Sequence, residues 1–142
     1  MFKKILILLA ALALSFIGSF LINVNFVTQS EAYSVWPVLL IFALIIGTVF
    51  VSLYFLIDKI APSSLRYTFA MAALLLVFSG LTDITYVYVQ NHTDWLAINN
   101  GTTGLTTVQT GVHSPMFFYA KYVIVLLLHL ISRLKAKLHK NV

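Results

Sequence analysis

The 142-residue chain contains no cysteine and little charge, since Asp, Glu, Lys and Arg together make up 9% of it. The lack of cysteine excludes disulfides, thiolate metal sites, iron–sulfur clusters and cysteine nucleophiles. Only four residues are acidic, which leaves little material for paired-carboxylate catalysis. The sequence has no nucleotide-binding glycine loop, no His-Glu-x-x-His helix and no Gly-x-Ser-x-Gly elbow. We therefore predict that the protein is not an enzyme and holds no cofactor.

The chain is unusually rich in apolar residues. They make up 61% of the chain, and the mean hydropathy is +0.97, whereas a soluble domain is roughly half apolar and a quarter charged. The net charge of +5 would suit nucleic acid, but the basic residues flank apolar runs and no nucleic-acid motif is present. The composition predicts an integral membrane protein with no nucleic-acid partner.

Four apolar runs are long enough to cross a bilayer, which needs about 20 residues as a helix. They cover residues 5–27, 35–57, 67–89 and 115–134. Short connections join them, except for a longer segment at residues 90–114. The predicted fold is all-α: a single membrane domain, residues 1–142, built as a bundle of four antiparallel transmembrane helices.

The first run also resembles a signal peptide, because Lys3 and Lys4 precede it and small residues near Ser30 suit a cleavage site. Its apolar stretch is longer than the roughly 7–15 residues of a signal sequence. We therefore expect it to be retained as the first span.

Basic residues predict the orientation, because they are retained on the cytoplasmic side of a membrane. They precede the first span, lie between the second and third, and follow the fourth, whereas the other two connections contain none. The pattern predicts a multi-pass protein of the cell membrane with both termini in the cytoplasm. Residues 133–142 form a basic tail, for which we weigh anionic lipid as a ligand against a simple stop signal. The basic residues concerned are Arg133, Lys135, Lys137 and Lys140.

Asp83 and Lys121 are the two charges that fall inside predicted spans. A charge at the bilayer centre costs about 2.5–3.5 kcal/mol on insertion scales, so each needs a partner or a route to the interface. Both lie near the outer ends of consecutive spans. Three interpretations remain open: a buried ion pair that fixes helix register, two side chains that extend separately to the interface, or a site for a substrate, ion or proton with Asp83 as the titrating group.

Further polar residues are predicted to surround this pair. They are Asn23, Asn25, Thr82, Thr85 and Tyr86. Small residues at helical spacing, including Ser15, Ser19 and Ser79, predict close helix packing, either within the bundle or against another protein. His129 is interpreted as a hydrogen-bonded packing residue near the cytoplasmic end of the fourth span.

The segment at residues 90–114 is rich in Asn, Thr and Gly, which indicates turns, and the stretch at residues 105–108 favours a short hairpin. Asn100 and, less favourably, Asn91 match the glycosylation sequon. His92, Asp94 and His113 are weak candidates for a metal site, since their spacing fits no known motif. The alternative is a solvated loop.

The absence of catalytic motifs and the small-residue faces predict a structural or accessory subunit of a larger membrane complex, with other subunits or a second copy of the chain as partners. The first alternative is a small oligomeric transporter or channel that uses Asp83 and Lys121. The second is a metal-binding module in the outer loop.

Overall fold

The computed structural model describes residues 1–26 and 32–140. The side chains of residues 24, 26, 32–39, 113 and 115 fall outside that description, as do the cleavage-site signal at residues 30–31 and the last residue of the first predicted span. The described chain forms six helices: α1 (Phe2–Phe26), α2 (Ala32–Asp58), α3 (Leu65–Asn91), α4 (Trp95–Asn99), α5 (Thr107–His113) and α6 (Pro115–Lys140).

The four long helices confirm the predicted all-α fold. Each contains a stretch that is long and apolar enough to span a membrane: Phe2–Asn23, Leu40–Asp58, Leu65–Asn91 and Met116–Lys140. The helix α6 extends six residues beyond the predicted end of the fourth span, so the basic tail is helical as far as Lys140.

The hairpin prediction at residues 105–108 is wrong, and the described residues contain no strand. Thr106 caps α5 instead: its hydroxyl accepts from the Gln109 amide at 3.3 Å, and the Gln109 side chain accepts from the Thr106 amide at 2.7 Å. This reciprocal capping box satisfies the backbone amides of Thr106 and Gln109 locally. In a hairpin, these amides would need a partner strand, and an isolated two-stranded hairpin is only marginally stable.

Consecutive long helices run in opposite directions, but the most extensive interface joins α1 to α3. Ser15 contacts Ser79 and Ser19 contacts Asp83, and both pairs are separated by 64 residues. A constant separation means that α1 and α3 run parallel. The prediction of an antiparallel bundle therefore holds for neighbours in sequence and not for the closest neighbours in space.

The four long helices are arranged in the order α1, α3, α6, α2 around the bundle. Within residues 1–26 and 32–140, the backbone of α1 stays more than 8 Å from that of α6, and the backbone of α2 stays more than 8 Å from that of α3, so these pairs lie across the bundle from each other. A long side chain still crosses the second gap, since the Tyr54 hydroxyl on α2 donates to Thr68 Oγ1 on α3 at 3.1 Å. Met1 and Lys140 lie at one end, here called the termini end. The segment that contains α4 and α5 lies at the other, here called the loop end.

A small apolar core occupies the bundle between these ends. Its buried members are Leu8, Ala11, Phe50, Tyr54, Met71, Ala72, Leu75 and Val125. Many other large apolar side chains remain exposed, among them Leu44, Phe69 and Ile84, each at least 63% exposed. Such a surface suits lipid, because acyl chains are as apolar as leucine.

Candidate functional site

Charged side chains meet at the termini end, in what we call the termini-end cluster (Lys4, Tyr54, Asp58, Ser63, Thr68 and His129). The ammonium of Lys4 lies 2.6 Å from Asp58 Oδ2 and donates to Ser63 Oγ at 3.0 Å. The other Asp58 oxygen accepts from the Ser63 amide at 2.8 Å. Both carboxylate oxygens are thus hydrogen-bonded. The ion pair joins the start of α1 to the end of α2 and the loop that follows.

His129 extends this cluster across the bundle from α6. It is fully buried, and its ring stacks on Tyr54 with centroids 3.9 Å apart and an interplanar angle of 2°. Its Nε2 lies 3.2 Å from the Tyr54 carbonyl oxygen, and its Nδ1 lies 3.4 Å from the Tyr67 hydroxyl. The tautomer protonated at Nε2 satisfies both contacts, because it donates to the carbonyl and accepts from the phenol. The packing role expected for His129 agrees with this geometry.

Arg133 departs from the role expected of the basic tail. Its guanidinium lies 4.0 Å from the centre of the Tyr67 ring, and the side chain is 9% exposed. Nη2 donates to Ser132 Oγ at 3.0 Å, and Nε is buried without a partner among the described residues. Arg133 therefore packs inward, whereas Lys135, Lys137 and Lys140 are exposed and can reach lipid headgroups.

A second polar group lies inside the bundle nearer the loop end, and we call it the loop-half cluster (Ser15, Ser19, Ser79, Asp83 and Lys121). Ser15 and Ser79 share a hydrogen bond of 2.6 Å between their hydroxyls. Ser19 donates to Asp83 Oδ2 at 2.6 Å, and Lys121 donates to Ser79 at 3.1 Å. The cluster therefore connects α1, α3 and α6.

The structure places Asp83 and Lys121 in this one cluster without joining them directly. Asp83 is 2% exposed and Lys121 is 7% exposed, so neither side chain extends to the outside of the bundle. Within the described residues, Lys4 and Asp58 form the one Lys–carboxylate ion pair of 4.0 Å or less, and the neutral His129 lies 3.9 Å from the same Asp58. Asp83 Oδ1 is buried without a hydrogen-bond partner in that same part of the chain.

Four of the five residues predicted to support this pair donate hydrogen bonds within their own helices. Asn23 donates to the Ser19 carbonyl, Asn25 to Leu21, Thr82 to Phe78 and Thr85 to Leu81, each within its own helix. Tyr86 packs edge-on against Phe118 with ring centroids 5.1 Å apart. Serines that the sequence marked only as small residues supply the partners instead, because a serine side chain is short enough to allow close helix contact and still offers a hydroxyl.

The proposed loop ligands are engaged locally. The His92 ring stacks on Tyr88 at 4.1 Å, and the Asp94 carboxylate caps α4 by accepting from the Ala97 amide at 3.0 Å. The side chain of His113 lies outside the described residues, and no group of three potential metal ligands forms among those that the structure describes. The metal site stays a prediction.

The two sequons differ in their surroundings. Asn91 is the last residue of α3, whereas Asn100 ends the short helix α4 and is followed by Gly101 in the left-handed region with φ +70°. Both asparagines are exposed. Asn100 lies in the turn after α4 and Asn91 at the end of the long helix α3, and glycosylation of either residue stays a prediction.

Sequence reasoning missed the termini-end cluster as a unit. From the sequence, Lys4 is one of the basic residues that predict the orientation, and Asp58 lies just after the second apolar run, so neither marks a site. The available signal was that Lys4, Asp58 and His129 all lie near one predicted membrane face. What was missing was the order of the helices around the bundle, which brings α1 and α6 to opposite sides of α2.

Comparison with protein-family models, curated proteins and solved structures finds no match for this chain. The fold and the two polar clusters define a helical protein with four candidate membrane spans.

Proposed function

We propose that the protein is a structural or accessory subunit of a larger membrane complex, anchored in the cell membrane with both termini in the cytoplasm. The observation that supports this proposal is the contrast between a polar interior and an apolar exterior. Internal polar side chains bind one another across α1, α2, α3 and α6, whereas large apolar side chains and two glycine positions lie on the surface.

The two glycines, Gly18 on α1 and Gly80 on α3, offer backbone to an approaching helix. A Cβ added at either position would meet nothing within 4 Å. The register of α1 against α3 puts these glycines about two residues, or roughly 3 Å, apart in depth. Small residues at a surface favour association in lipid because they let helix backbones approach closely.

A co-purification experiment tests the subunit proposal. We expect wild-type protein, solubilised in mild detergent, to migrate on a native gel with partner subunits. Gly18→Leu and Gly80→Leu should release the partner without lowering the thermal stability of the isolated chain. The control is Leu44→Ala on α2, an exposed position that should not affect the partner. Migration of the wild type solely as a detergent-bound monomer would contradict the proposal.

The orientation is tested separately, and the lack of native cysteine makes the test direct. Two exposed positions suit single cysteine substitutions: Thr103, between α4 and α5, and Lys137, near the end of α6. A membrane-impermeant maleimide added to intact cells should label Thr103→Cys and not Lys137→Cys. The reverse pattern would invert the proposed orientation.

Asp83 favours a second candidate function, a small oligomeric transporter or channel. The carboxylate is 2% exposed and one of its oxygens has no partner among the described residues, which is costly unless something binds there. If Asp83 is the coupling group, Asp83→Asn should abolish transport by protein reconstituted in vesicles and leave assembly intact. If the chain is a subunit only, the same change should affect stability or assembly.

A further inference from the structure

The carboxylate of Asp83 is bound on one side and free on the other. Ser19 donates to Oδ2 at 2.6 Å, whereas Oδ1 is buried and has no donor among residues 1–26 and 32–140. A buried acceptor left without a hydrogen bond is destabilising, and more so when it is charged. A donor at Oδ1 would therefore be strongly favoured.

Lys121 lacks hydrogen-bond acceptors, whereas Asp83 lacks a donor. Its ammonium carries three hydrogens, and Ser79 Oγ, at 3.1 Å, is its one hydrogen-bond acceptor in the part of the chain that the structure describes. The Tyr122 ring lies 5.4 Å from the same Nζ. No oxygen of Asp83 lies within 4.0 Å of it. A buried ammonium and a buried carboxylate thus share a cluster without touching.

The two groups share one neighbour but do not bond each other. Lys121 donates to Ser79, and Asp83 follows Ser79 by four residues, about one turn further along α3. A water molecule is small and is both a donor and an acceptor, so it can bond both groups at once. We propose that the loop-half cluster binds a single water molecule that donates to Asp83 Oδ1 and accepts from Lys121 Nζ.

Charge balance favours water over a metal cation at this position. Asp83 and Lys121 together carry no net charge, so a bound monovalent cation would leave one uncompensated positive charge between helices in lipid. It would also face the Lys121 ammonium directly. Water adds no charge, and it supplies both the donor that Asp83 lacks and the acceptor that Lys121 lacks.

The bound water completes one hydrogen-bonded chain across three helices. The chain runs from Ser19 through Asp83, the water and Lys121 to Ser79 and Ser15. This inference does not depend on the subunit proposal, because the water site lies inside the bundle and not on the partner-facing surface. It predicts that water reaches the loop half of the bundle while the apolar core below it stays dry.

Hydroxyl-radical footprinting by synchrotron X-rays tests the site, because bound water generates radicals where it sits. The reporter is Tyr122, and the internal reference is Phe50, which packs against Tyr122 at 5.6 Å but belongs to the apolar core. The variant is the double change Asp83→Leu with Lys121→Leu, which removes both ligands and keeps the net charge. Asp83→Asn is the matched control, because its amide still bonds water.

After correction for intrinsic reactivity, Tyr122 should be labelled several-fold faster than Phe50 in the wild type and in Asp83→Asn. In the double variant the Tyr122 rate should fall to that of Phe50. Equal rates for Tyr122 and Phe50 in the wild type would overturn the proposal, and this comparison needs no variant to fold. A melting temperature that rises with sodium chloride and not with choline chloride, and only while Asp83 is present, would show a cation site instead.

Discussion

The two polar clusters differ in how completely their charged groups are paired. At the termini end, both oxygens of Asp58 are hydrogen-bonded and Lys4 reaches two acceptors. In the loop half, Asp83 has one bound oxygen and Lys121 has one acceptor among the described residues. Full pairing is typical of a structural contact, whereas incomplete pairing inside a membrane bundle indicates a position where something else binds.

The position of each cluster explains the difference. The termini-end cluster includes a loop, and the backbone amide of Ser63 is free to bind Asp58 because it is not part of a helix. The loop-half cluster lies between three continuous helices, where backbone amides are already bonded within each helix. Only side chains can therefore hydrogen-bond the charged groups there. The three serines do not supply enough donors and acceptors for both Asp83 and Lys121.

The largest expected effect is the loss of the Asp58 contacts. Asp58→Ala leaves the mostly buried ammonium of Lys4 without its carboxylate and the Ser63 amide without an acceptor. Breaking a buried pair on one side typically costs about 3–5 kcal/mol. Unfolding in bicelles measures the change, with Asp94→Ala at the exposed α4 cap as the control. A loss as small as that of the control would show that the ion pair is only a surface contact.

The next largest effect is expected at His129. Truncation by His129→Ala removes the stack on Tyr54 and leaves a cavity, which should lower the free energy of unfolding by about 2–4 kcal/mol. His129→Phe should recover part of this loss, since it restores the ring but not the bonds to Tyr54 and Tyr67. If the phenylalanine variant were as stable as the wild type, the hydrogen bonds would contribute nothing.

Replacing both charged residues of a cluster at once tests the difference between the two clusters most directly. The double change Asp83→Leu with Lys121→Leu should be close to neutral, because incompletely paired buried charges are often replaced by apolar residues without loss. The corresponding change Asp58→Leu with Lys4→Leu should remain destabilising, since the Ser63 amide and hydroxyl both lose a partner. Equal losses in the same unfolding assay would remove the distinction drawn here.

The smallest expected effects concern the glycines. At Gly18 and Gly80 a new Cβ meets no atom, so Gly→Ala should stabilise the isolated chain by up to about 1 kcal/mol through helix propensity. At Gly47 the new Cβ would lie 3.3 Å from the Leu12 side chain, so Gly47→Ala should gain less or lose stability. Thermal melts of the three variants check this order, and a larger gain at Gly47 would contradict the packing of α1 on α2.

A final comparison concerns the basic tail, where the effect is on binding and not on stability. Replacing Lys135, Lys137 and Lys140 by Gln should weaken retention of anionic lipid in native mass spectrometry, because these side chains are exposed. Arg133→Gln should not change lipid retention, since the Arg133 guanidinium packs on Tyr67. If both changes weakened lipid retention equally, Arg133 would also bind lipid headgroups, and the prediction would be wrong.

The four long helices could be predicted from the amino-acid sequence. Apolar runs of sufficient length predicted four helices that are long and apolar enough to span a membrane, and Ser114 with Pro115 marked the start of α6. The burial of Asp83 and Lys121 could also be anticipated, because a charge within an apolar run must turn away from lipid. Local chemistry decides these properties, and it can be read along the chain.

Which residues meet across the bundle depends on how the helices pack. Hydropathy does not specify the order of helices around a bundle, because every lipid-facing helix carries the same apolar signal. The parallel pairing of α1 with α3 therefore emerges only from packing, and it brings Ser15 and Ser19 to Ser79 and Asp83. The same arrangement leaves Asn23 and Thr82 to bond their own helices. A Ser, Thr or Asn side chain in a helix can donate to a carbonyl of its own backbone, and the neighbouring helix decides whether it finds another partner instead.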